Sequence, residues 1–176
     1  MLVLTLRGTP FLYQGEELGL TDAHVPAERI VDVDGRDPQR APMPWAPPTR
    51  AGTAAGFSEG EPWLPVHQDA ERLAVEVQAG DPASTLELYR ALIALRRAEP
   101  ALREGTHRSL DAAPDVFAFV REHDGRRLLV ALHHAPFPRP LPAEANGGRL
   151  LLSTRHEPSG AELEPDEGRV IELAGS

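Results

Sequence analysis

Cysteine is absent from the 176-residue sequence, and basic residues are scarce relative to acidic ones. Without a thiol the chain can form no disulfide, no thiolate nucleophile and no cysteine-ligated zinc site. The 18 basic and 27 acidic side chains give a formal net charge of −9, and no segment is rich enough in arginine or lysine to neutralise a phosphate backbone. We therefore expect no nucleic-acid partner.

Long hydrophobic runs are also missing. The opening stretch MLVLTLRG has six residues before its first charge. Such a run is shorter than the roughly 7–15 residues of a signal-peptide core and the roughly 20 residues of a membrane span. We predict neither feature for this stretch and expect no membrane partner. Because the absence of cysteine suits a reducing compartment, we predict a cytoplasmic location.

Recognised patterns for metals and cofactors are lacking as well. His133 and His134 are adjacent, so a β-strand would point them to opposite faces, and no His-x-x-x-His pair accompanies them. The sequence contains no EF-hand loop and no glycine-rich loop that would hold a phosphate. We expect no metal, no cofactor and no nucleophilic serine.

Proline is plentiful, and residues 21–80 combine it with glycine and charge in stretches such as VDGRDPQRAPMPW. A segment this long without regular periodicity is uncommon in a compact domain unless it is functional or disordered. Trp45 and Trp63 each stand beside a proline, and we expect large aromatic side chains in a stiff loop to be packed rather than solvated. The segment is therefore predicted to be an ordered loop.

One helix is predicted over residues 81–98. Asp81 is a suitable N-cap, Pro82 suits the first helical position, and Pro100 ends the helix near Ala98. Apolar residues at 3.6-residue spacing form one face. Arg96 lies within that face, where its guanidinium would either reach water or pair with a carboxylate.

The other apolar runs are short. Residues 11–13 could be a buried strand or a local extended loop. Glu16 and Glu17 follow this run, and adjacent carboxylates diverge, so they make poor partners for acid and base catalysis. After Gly105 the pattern changes to about five strands, with a hairpin turn at Asp124-Gly125. These strands are predicted at 106–110, 116–122, 126–134, 149–154 and 168–173, as a small antiparallel β-domain.

Five stretches follow one another in a recognisable order: GTPFLYQGEELGL, GRDPQRAPMPW, GFSEGEPWLPV, DPASTLELYRALIALRRAEPALREG and LEPDEGRVIEL. Together they resemble the C-terminal part of the α-glucosidase branch of glycoside hydrolase family 13, related to oligo-1,6-glucosidases and α-amylases. The resemblance implies an α/β plus all-β fold, in which the last strand and helix of a (β/α)8 barrel precede a small antiparallel β-domain. It implies a barrel remnant over 1–104, with an eighth strand at 9–15, an active-site loop at 21–80 and the last helix at 81–98, and a β-domain over 105–176.

The same resemblance bears on catalysis. Family members act with retention, using an aspartate nucleophile, a glutamate acid/base and a second aspartate on earlier strands. All three would precede Met1, so no residue here is assigned a catalytic role. We expect the C-terminal portion of a retaining hydrolase of α-linked glucose oligosaccharides, inactive alone, or of a relative that isomerises trehalose or sucrose.

The remaining site residues lie around the loop. The resemblance assigns a sugar contact to Arg36, whose guanidinium offers several donors in a fixed fork. Asp37, Arg40 and Glu17 are expected to brace the loops. A different possibility is that the β-domain acts as a non-catalytic carbohydrate-binding or interaction module. Exposed barrel surfaces would in either case favour self-association.

Overall fold

The computed structural model describes residues 1–158 and 160–174. The chain divides into two compact units. The sheet unit combines residues 1–11 with the chain from residue 89 onwards, and the loop unit comprises residues 12–88. The sheet unit is therefore discontinuous in sequence, since its first eleven residues are separated from the rest by the whole loop unit.

Antiparallel strands dominate the sheet unit. A five-stranded sheet has the order β1-β2-β3-β7-β5, and β4 pairs with β6 in a separate two-stranded sheet. The predicted antiparallel β-domain and its five main strands are thus confirmed. The strands are β1 (Thr106–Leu110), β2 (Val116–His123), β3 (Arg126–His133), β4 (Arg139–Pro140), β5 (Arg149–Ser153), β6 (Glu162–Leu163) and β7 (Gly168–Glu172).

The central strand β3 is buried on both faces, which explains its almost continuous apolar sequence. Because successive side chains alternate between faces, Leu128 and Val130 enter one hydrophobic cluster while Leu129 and Ala131 enter another. The first cluster includes buried Phe119 of β2. Hydrophobic burial on both faces makes this sheet the core of the unit.

The predicted hairpin between β2 and β3 is confirmed. Asp124 and Gly125 form its two-residue turn, with φ angles of 47° and 78°. Two consecutive positive φ angles match the right-handed twist of the flanking strands. Asp-Gly is a favoured pair here because glycine adopts positive φ at no steric cost.

The helices are short, apart from one. α5 (Thr85–Ala98) is the only helix longer than four residues among the described residues, and it ends where Pro100 was expected to end it. The other α-helices are α1 (Leu2–Thr5), α2 (Pro48–Ala51), α3 (Ala70–Leu73), α4 (Val75–Gln78) and α6 (Pro100–Arg103). The 3₁₀ helices are Glu16–Leu18, Ala27–Arg29, Asp37–Arg40 and Ala143–Ala145.

The start of α5 differs from the prediction, and Asp81 is not its N-cap. Asp81 instead closes a turn, because its Oδ1 accepts a hydrogen bond from the Ala83 amide at 2.9 Å. Ser84 is the capping residue, and its Oγ accepts from the Glu87 amide at 3.2 Å. The helix therefore begins four residues later than predicted, at Thr85.

Residues 9–13 form no β-strand within this chain, which matches the local loop alternative for residues 11–13, and the assignment of 9–15 to an eighth barrel strand stays a prediction. A strand needs a hydrogen-bonded neighbour, and no described segment pairs with these residues. The side chain of Phe11 is left 85% exposed.

Arg96 binds backbone oxygens, which neither alternative for its guanidinium had foreseen. Its Nη1 donates to the carbonyls of Leu4 at 3.0 Å and Leu102 at 2.9 Å, and its Nη2 donates to that of Gly8 at 2.7 Å. Burial lowers the pKa of Arg96 below its ordinary value. The side chain thereby ties the first residues of the chain to the rest of the sheet unit.

Arg121 makes a second attachment of this kind from β2. It is completely buried and donates to the carbonyls of Thr5 at 2.7 Å, Leu102 at 2.9 Å and Gly105 at 3.0 Å. Burial lowers the pKa of Arg121. Arg96 and Arg121 share the Leu102 carbonyl at the end of α6, so the two guanidinium groups form one connected network.

The loop unit is held together by a buried amide. Gln78 donates through Nε2 to the carbonyls of Leu18 at 2.9 Å and Leu73 at 3.1 Å, and its Oε1 accepts from the Leu86 amide at 3.1 Å. The side chains of Trp45 and Trp63, by contrast, are 51% and 60% exposed, so the prediction that they would be packed is wrong. Buried hydrogen bonds and small side chains, rather than the indoles, order this unit.

Candidate functional site

Arg36 precedes the 3₁₀ helix Asp37–Arg40, and its guanidinium is bound by aspartates of the same loop. Nε donates to Oδ2 of Asp32 at 2.8 Å and Nη2 donates to Oδ1 at 2.6 Å, which is a bidentate pair. Asp34 lies 3.0 Å from Nη2. The hydrogen bond from Arg36 lowers the pKa of Asp32 and raises the pKa of Arg36.

Arg40 and Asp37 also belong to this loop. Arg40 reaches Oδ1 of Asp32 at 3.5 Å. Asp37 is fully buried, and its Oδ2 accepts hydrogen bonds from the amides of Val31 at 2.7 Å and Asp32 at 2.9 Å. These contacts join the loop to itself, while the bracing role expected of Asp37 and Arg40 and the sugar contact assigned to Arg36 stay predictions.

Glu17 and Glu16 follow a left-handed glycine turn and diverge. Oε2 of Glu17 accepts a hydrogen bond from the Gly15 amide at 2.9 Å and so closes its own turn. Gly15 has φ of 92°, and a Cβ there would meet Leu20 at 2.8 Å, so both the backbone angle and the space favour glycine. Glu16 is directed elsewhere and lines a pocket.

The pocket lies within the loop unit and encloses about 320 Å³. It is lined by Tyr13, Gln14, Glu16, Leu20, Thr21, Asp22, Pro38, Gln39, Ala41, Met43 and His67. Five polar side chains of this lining, those of Tyr13, Gln14, Glu16, Asp22 and Gln39, take part in no hydrogen bond or ion pair with the residues that the structure describes. They are consequently available to a ligand, whereas the acidic groups around Arg36 are engaged within the protein.

His67 forms part of the pocket wall and was missed by the sequence analysis. It is 3% exposed, its Nε2 lies 3.1 Å from Thr21 Oγ1, and its Nδ1 accepts from the Asp69 amide at 3.0 Å. Burial lowers its pKa. Gln68 continues the connection, since its Oε1 accepts from the His24 amide at 3.0 Å. These bonds fix residues 21–24 against residues 67–69 and pre-form the wall.

The stretch GFSEG, residues 56–60, matches the Gly-x-Ser-x-Gly pattern of nucleophilic serines, in contrast to the expectation of no nucleophilic serine. The structure gives it no such role. Ser58 donates its hydroxyl hydrogen bond to the Gly60 carbonyl on an exposed turn, and neither the strand before nor the helix after a nucleophile elbow is present. The expectation of no nucleophilic serine stays a prediction.

The described residues, 1–158 and 160–174, contain no group of three or more metal-ligating side chains that could hold a metal ion. None of their helices is long and apolar enough to cross a membrane.

The alpha-amylase catalytic-domain model matches residues 1–105, more than half of the chain. The chain belongs to the alpha-amylase family. This family member is 36% identical over 163 residues to a protein of Rhizobium meliloti (strain 1021) described as "probable alpha-glucosidase", an alignment covering 83% of the chain and 29% of that protein. It is 33% identical over 159 residues to the trehalose-6-phosphate hydrolase of Escherichia coli (strain K12), covering 74% and 28%.

The structural comparison agrees. The crystal structure of trehalulose synthase from Pseudomonas mesoacidophila MX-45 matches with a TM-score of 0.83 and 28% identity, over 98% of this family member and 37% of the synthase. The alpha-amylase family member thus spans about a third of the length of these relatives. The resemblance to the C-terminal part of a family 13 enzyme, and with it the fold class, is confirmed.

Proposed function

We propose that the chain is the C-terminal portion of a retaining α-glucosidase-like glycoside hydrolase and that the pocket of the loop unit, together with Arg36, binds α-linked glucose oligosaccharides. The observation that carries the proposal is the lining of five uncommitted polar side chains in a family-matched segment. A cavity of this size with a few polar groups among apolar ones is typical of small-ligand sites. Hydroxyl groups of a sugar would supply the missing hydrogen-bond partners.

Arg36 suits a place at the rim of such a site. Its side chain is 49% exposed, and the bidentate pair with Asp32 fixes the plane of the guanidinium in advance. A donor that is already oriented loses less conformational entropy when the substrate docks. The donors not turned toward Asp32 can then bind sugar hydroxyls.

The chemical step is assigned to residues outside these 176. Retention requires two carboxyl groups about 5–5.5 Å apart across the glycosidic bond. The family resemblance assigns those groups to earlier barrel strands, and Glu16 and Asp22 do not correspond to them. We propose that the chain alone binds sugar without cleaving it.

Hydrolysis and isomerisation of the substrate remain two outcomes of one chemistry. Both proceed through the same carboxylate attack and differ in whether water reaches the intermediate. The relatives include a hydrolase and a trehalulose synthase, so both parents fit the proposal. The module alternative has less support, because Phe119 is buried, Phe117 packs against Phe119 and the ring of Phe137 is covered on one face by the Arg139 guanidinium.

The proposal is tested by titrating the 176-residue chain with isomaltose and following binding by nuclear magnetic resonance. We expect Arg36→Ala to weaken binding at least tenfold, about 1.4 kcal/mol, because a pre-oriented donor is lost. Arg155→Ala is the matched control, since Arg155 is an exposed arginine of the sheet unit, and it should leave the dissociation constant within twofold.

Two results would contradict the proposal. Absence of isomaltose binding would overturn the sugar site. Release of nitrophenol from a nitrophenyl α-glucoside by this chain, abolished by Glu16→Gln or Asp22→Asn, would overturn the assignment of chemistry to other residues.

A further inference from the structure

The charge of the pocket lining has a consequence for substrate class. Two lining side chains, Glu16 and Asp22, are carboxylates, and no arginine or lysine lines the pocket. We infer that the pocket accepts an uncharged α-glucosyl unit and rejects one that carries a phosphate ester. The inference rests on the proposed function and sharpens it, because the relatives include an enzyme named for a phosphorylated disaccharide.

The cations nearest to the pocket in sequence are already committed. Arg36 and Arg40 flank the lining residues Pro38 and Gln39, yet their guanidinium groups bind Asp32. Neither arginine is part of the lining. The pocket lining therefore offers a phosphate no guanidinium fork, and the Nε and Nη2 edge of Arg36, which could bind a phosphate with two parallel bonds, already binds Asp32.

His67 is the remaining basic group of the lining. Its Nδ1 accepts the Asp69 amide hydrogen bond, so a proton on Nδ1 would break that bond. Nε2 lies 3.1 Å from Thr21 Oγ1 and 3.2 Å from the side-chain amide nitrogen of Gln68, so it faces the pocket wall. The ring is neutral as a result and provides no positive charge to an anionic ligand.

The rest of the lining fits a neutral sugar. Leu20, Pro38, Ala41 and Met43 offer an apolar surface to the C–H face of a pyranose, while the amides and carboxylates accept or donate to its hydroxyl groups. A phosphate dianion among the same groups would face the exposed carboxylates of Glu16 and Asp22, and the like charges repel over a Debye length of about 10 Å at 0.1 M salt.

The experiment compares methyl α-glucoside with its 6-phosphate ester on the 176-residue chain by calorimetry and by the salt dependence of binding. We expect the phosphate ester to bind at least tenfold more weakly than methyl α-glucoside. The ratio of the two dissociation constants should decrease in 1 M salt, because the Debye length falls from about 10 Å at 0.1 M to about 3 Å. In the double variant Glu16→Gln, Asp22→Asn the ratio should fall at least fivefold. Glu59→Gln, an exposed carboxylate of the same unit outside the lining, should leave the ratio unchanged.

The outcomes separate the two proposals. Equal affinities for the two sugars, or a ratio that the double variant leaves unchanged, would overturn the inference while the sugar site stands. Failure of both methyl α-glucoside and isomaltose to bind would overturn the proposed function and this inference with it.

Discussion

Arginine is the only cationic side chain of this protein that is charged at every physiological pH, because all 18 of its basic residues are arginine. The planar fork of the guanidinium is used in two ways. Arg36 binds a carboxylate with two parallel bonds, whereas Arg96 and Arg121 gather backbone carbonyls. A lysine at these positions would offer a point charge and could not span the same set of oxygens.

Glu167 and Arg169 form a buried ion pair whose effect on stability can be measured. Glu167 is 1% exposed; it accepts from Arg169 Nε at 2.6 Å, from Ser153 Oγ at 2.9 Å and from the Glu164 amide at 2.9 Å. Burial acts to raise the pKa of Glu167, but these hydrogen bonds outweigh it and leave the pKa below its ordinary value.

A depressed carboxyl pKa predicts a loss of stability in acid. The contribution of ionised Glu167 is fully present above the unfolded-state pKa of about 4.3 and is lost as the pH falls through the lower folded-state value. We expect Glu167→Gln to destabilise the protein by about 3 kcal/mol at pH 7, since a buried guanidinium loses its carboxylate. Urea unfolding from pH 3 to pH 7 should show this difference shrinking in acid.

The control for this experiment is Glu144→Gln, because Glu144 is exposed in the same unit. Its urea midpoint should parallel that of the unaltered protein across the pH range. A Glu167→Gln deficit that stays constant from pH 7 to pH 3 would contradict the assigned linkage.

At the scale of one element, α5 illustrates how a cap decides where a helix begins. Ser84 satisfies the Glu87 amide, and its hydroxyl donates to the Gln78 carbonyl at 2.9 Å. The same serine thus fixes the helix and the turn before it. Asp81, three residues before Ser84, accepts through its side chain only the hydrogen bond of the Ala83 amide.

Ser84→Ala should therefore lower the free energy of unfolding by about 1–2 kcal/mol, the usual cost of a lost N-cap. Asp81→Ala should cost less, since the turn that it closes is exposed and its backbone bonds remain. Denaturant midpoints at unchanged m-value measure both effects. A larger loss for Asp81→Ala would show that the helix begins at the residue first predicted.

At the scale of the whole molecule, exposed apolar side chains favour association. Phe11 is 85% exposed, Val33 is 96% exposed and Val31 is 69% exposed. Such groups gain free energy by leaving water. We expect sedimentation equilibrium at micromolar concentration to give a mass above the 19.1 kDa of the chain. A single 19.1 kDa species, unchanged by Val33→Ser, would contradict this expectation.

The strands and the hairpin were predictable because their signals are local. The apolar run of β3 is enough to predict that strand, and the Asp124-Gly125 pair is enough to predict the turn. The start of α5 was not predictable, since Asp-Pro and Ser-Thr are both suitable first residues and only tertiary contacts of Gln78 favour the second. The irregular course of residues 9–13 was not predictable either, because it depends on whether another segment pairs with them, and no described segment does.

The candidate site likewise combines residues that a local motif indicates with residues that only the fold brings together. The GRDP stretch singled out Arg36 and Asp37, but Asp32, which orients Arg36, lies in a loop where no periodic rule relates the two positions. The pocket draws on residues near 14, 22, 39 and 67, and no local pattern indicates that these segments converge. Arg121 likewise binds Thr5 across 116 positions of sequence.

The guanidinium network of Arg96 and Arg121 makes the loop unit an insertion with anchored ends. Residues 1–8 are fixed to the sheet unit before the insertion begins, and α5 returns the chain to it afterwards. The entropy of closing such a loop rises only with the logarithm of its length, by about 0.6 kcal/mol for each doubling. Residues 12–88 can thus lengthen, shorten or diverge over evolution while the sheet unit keeps its own strand order.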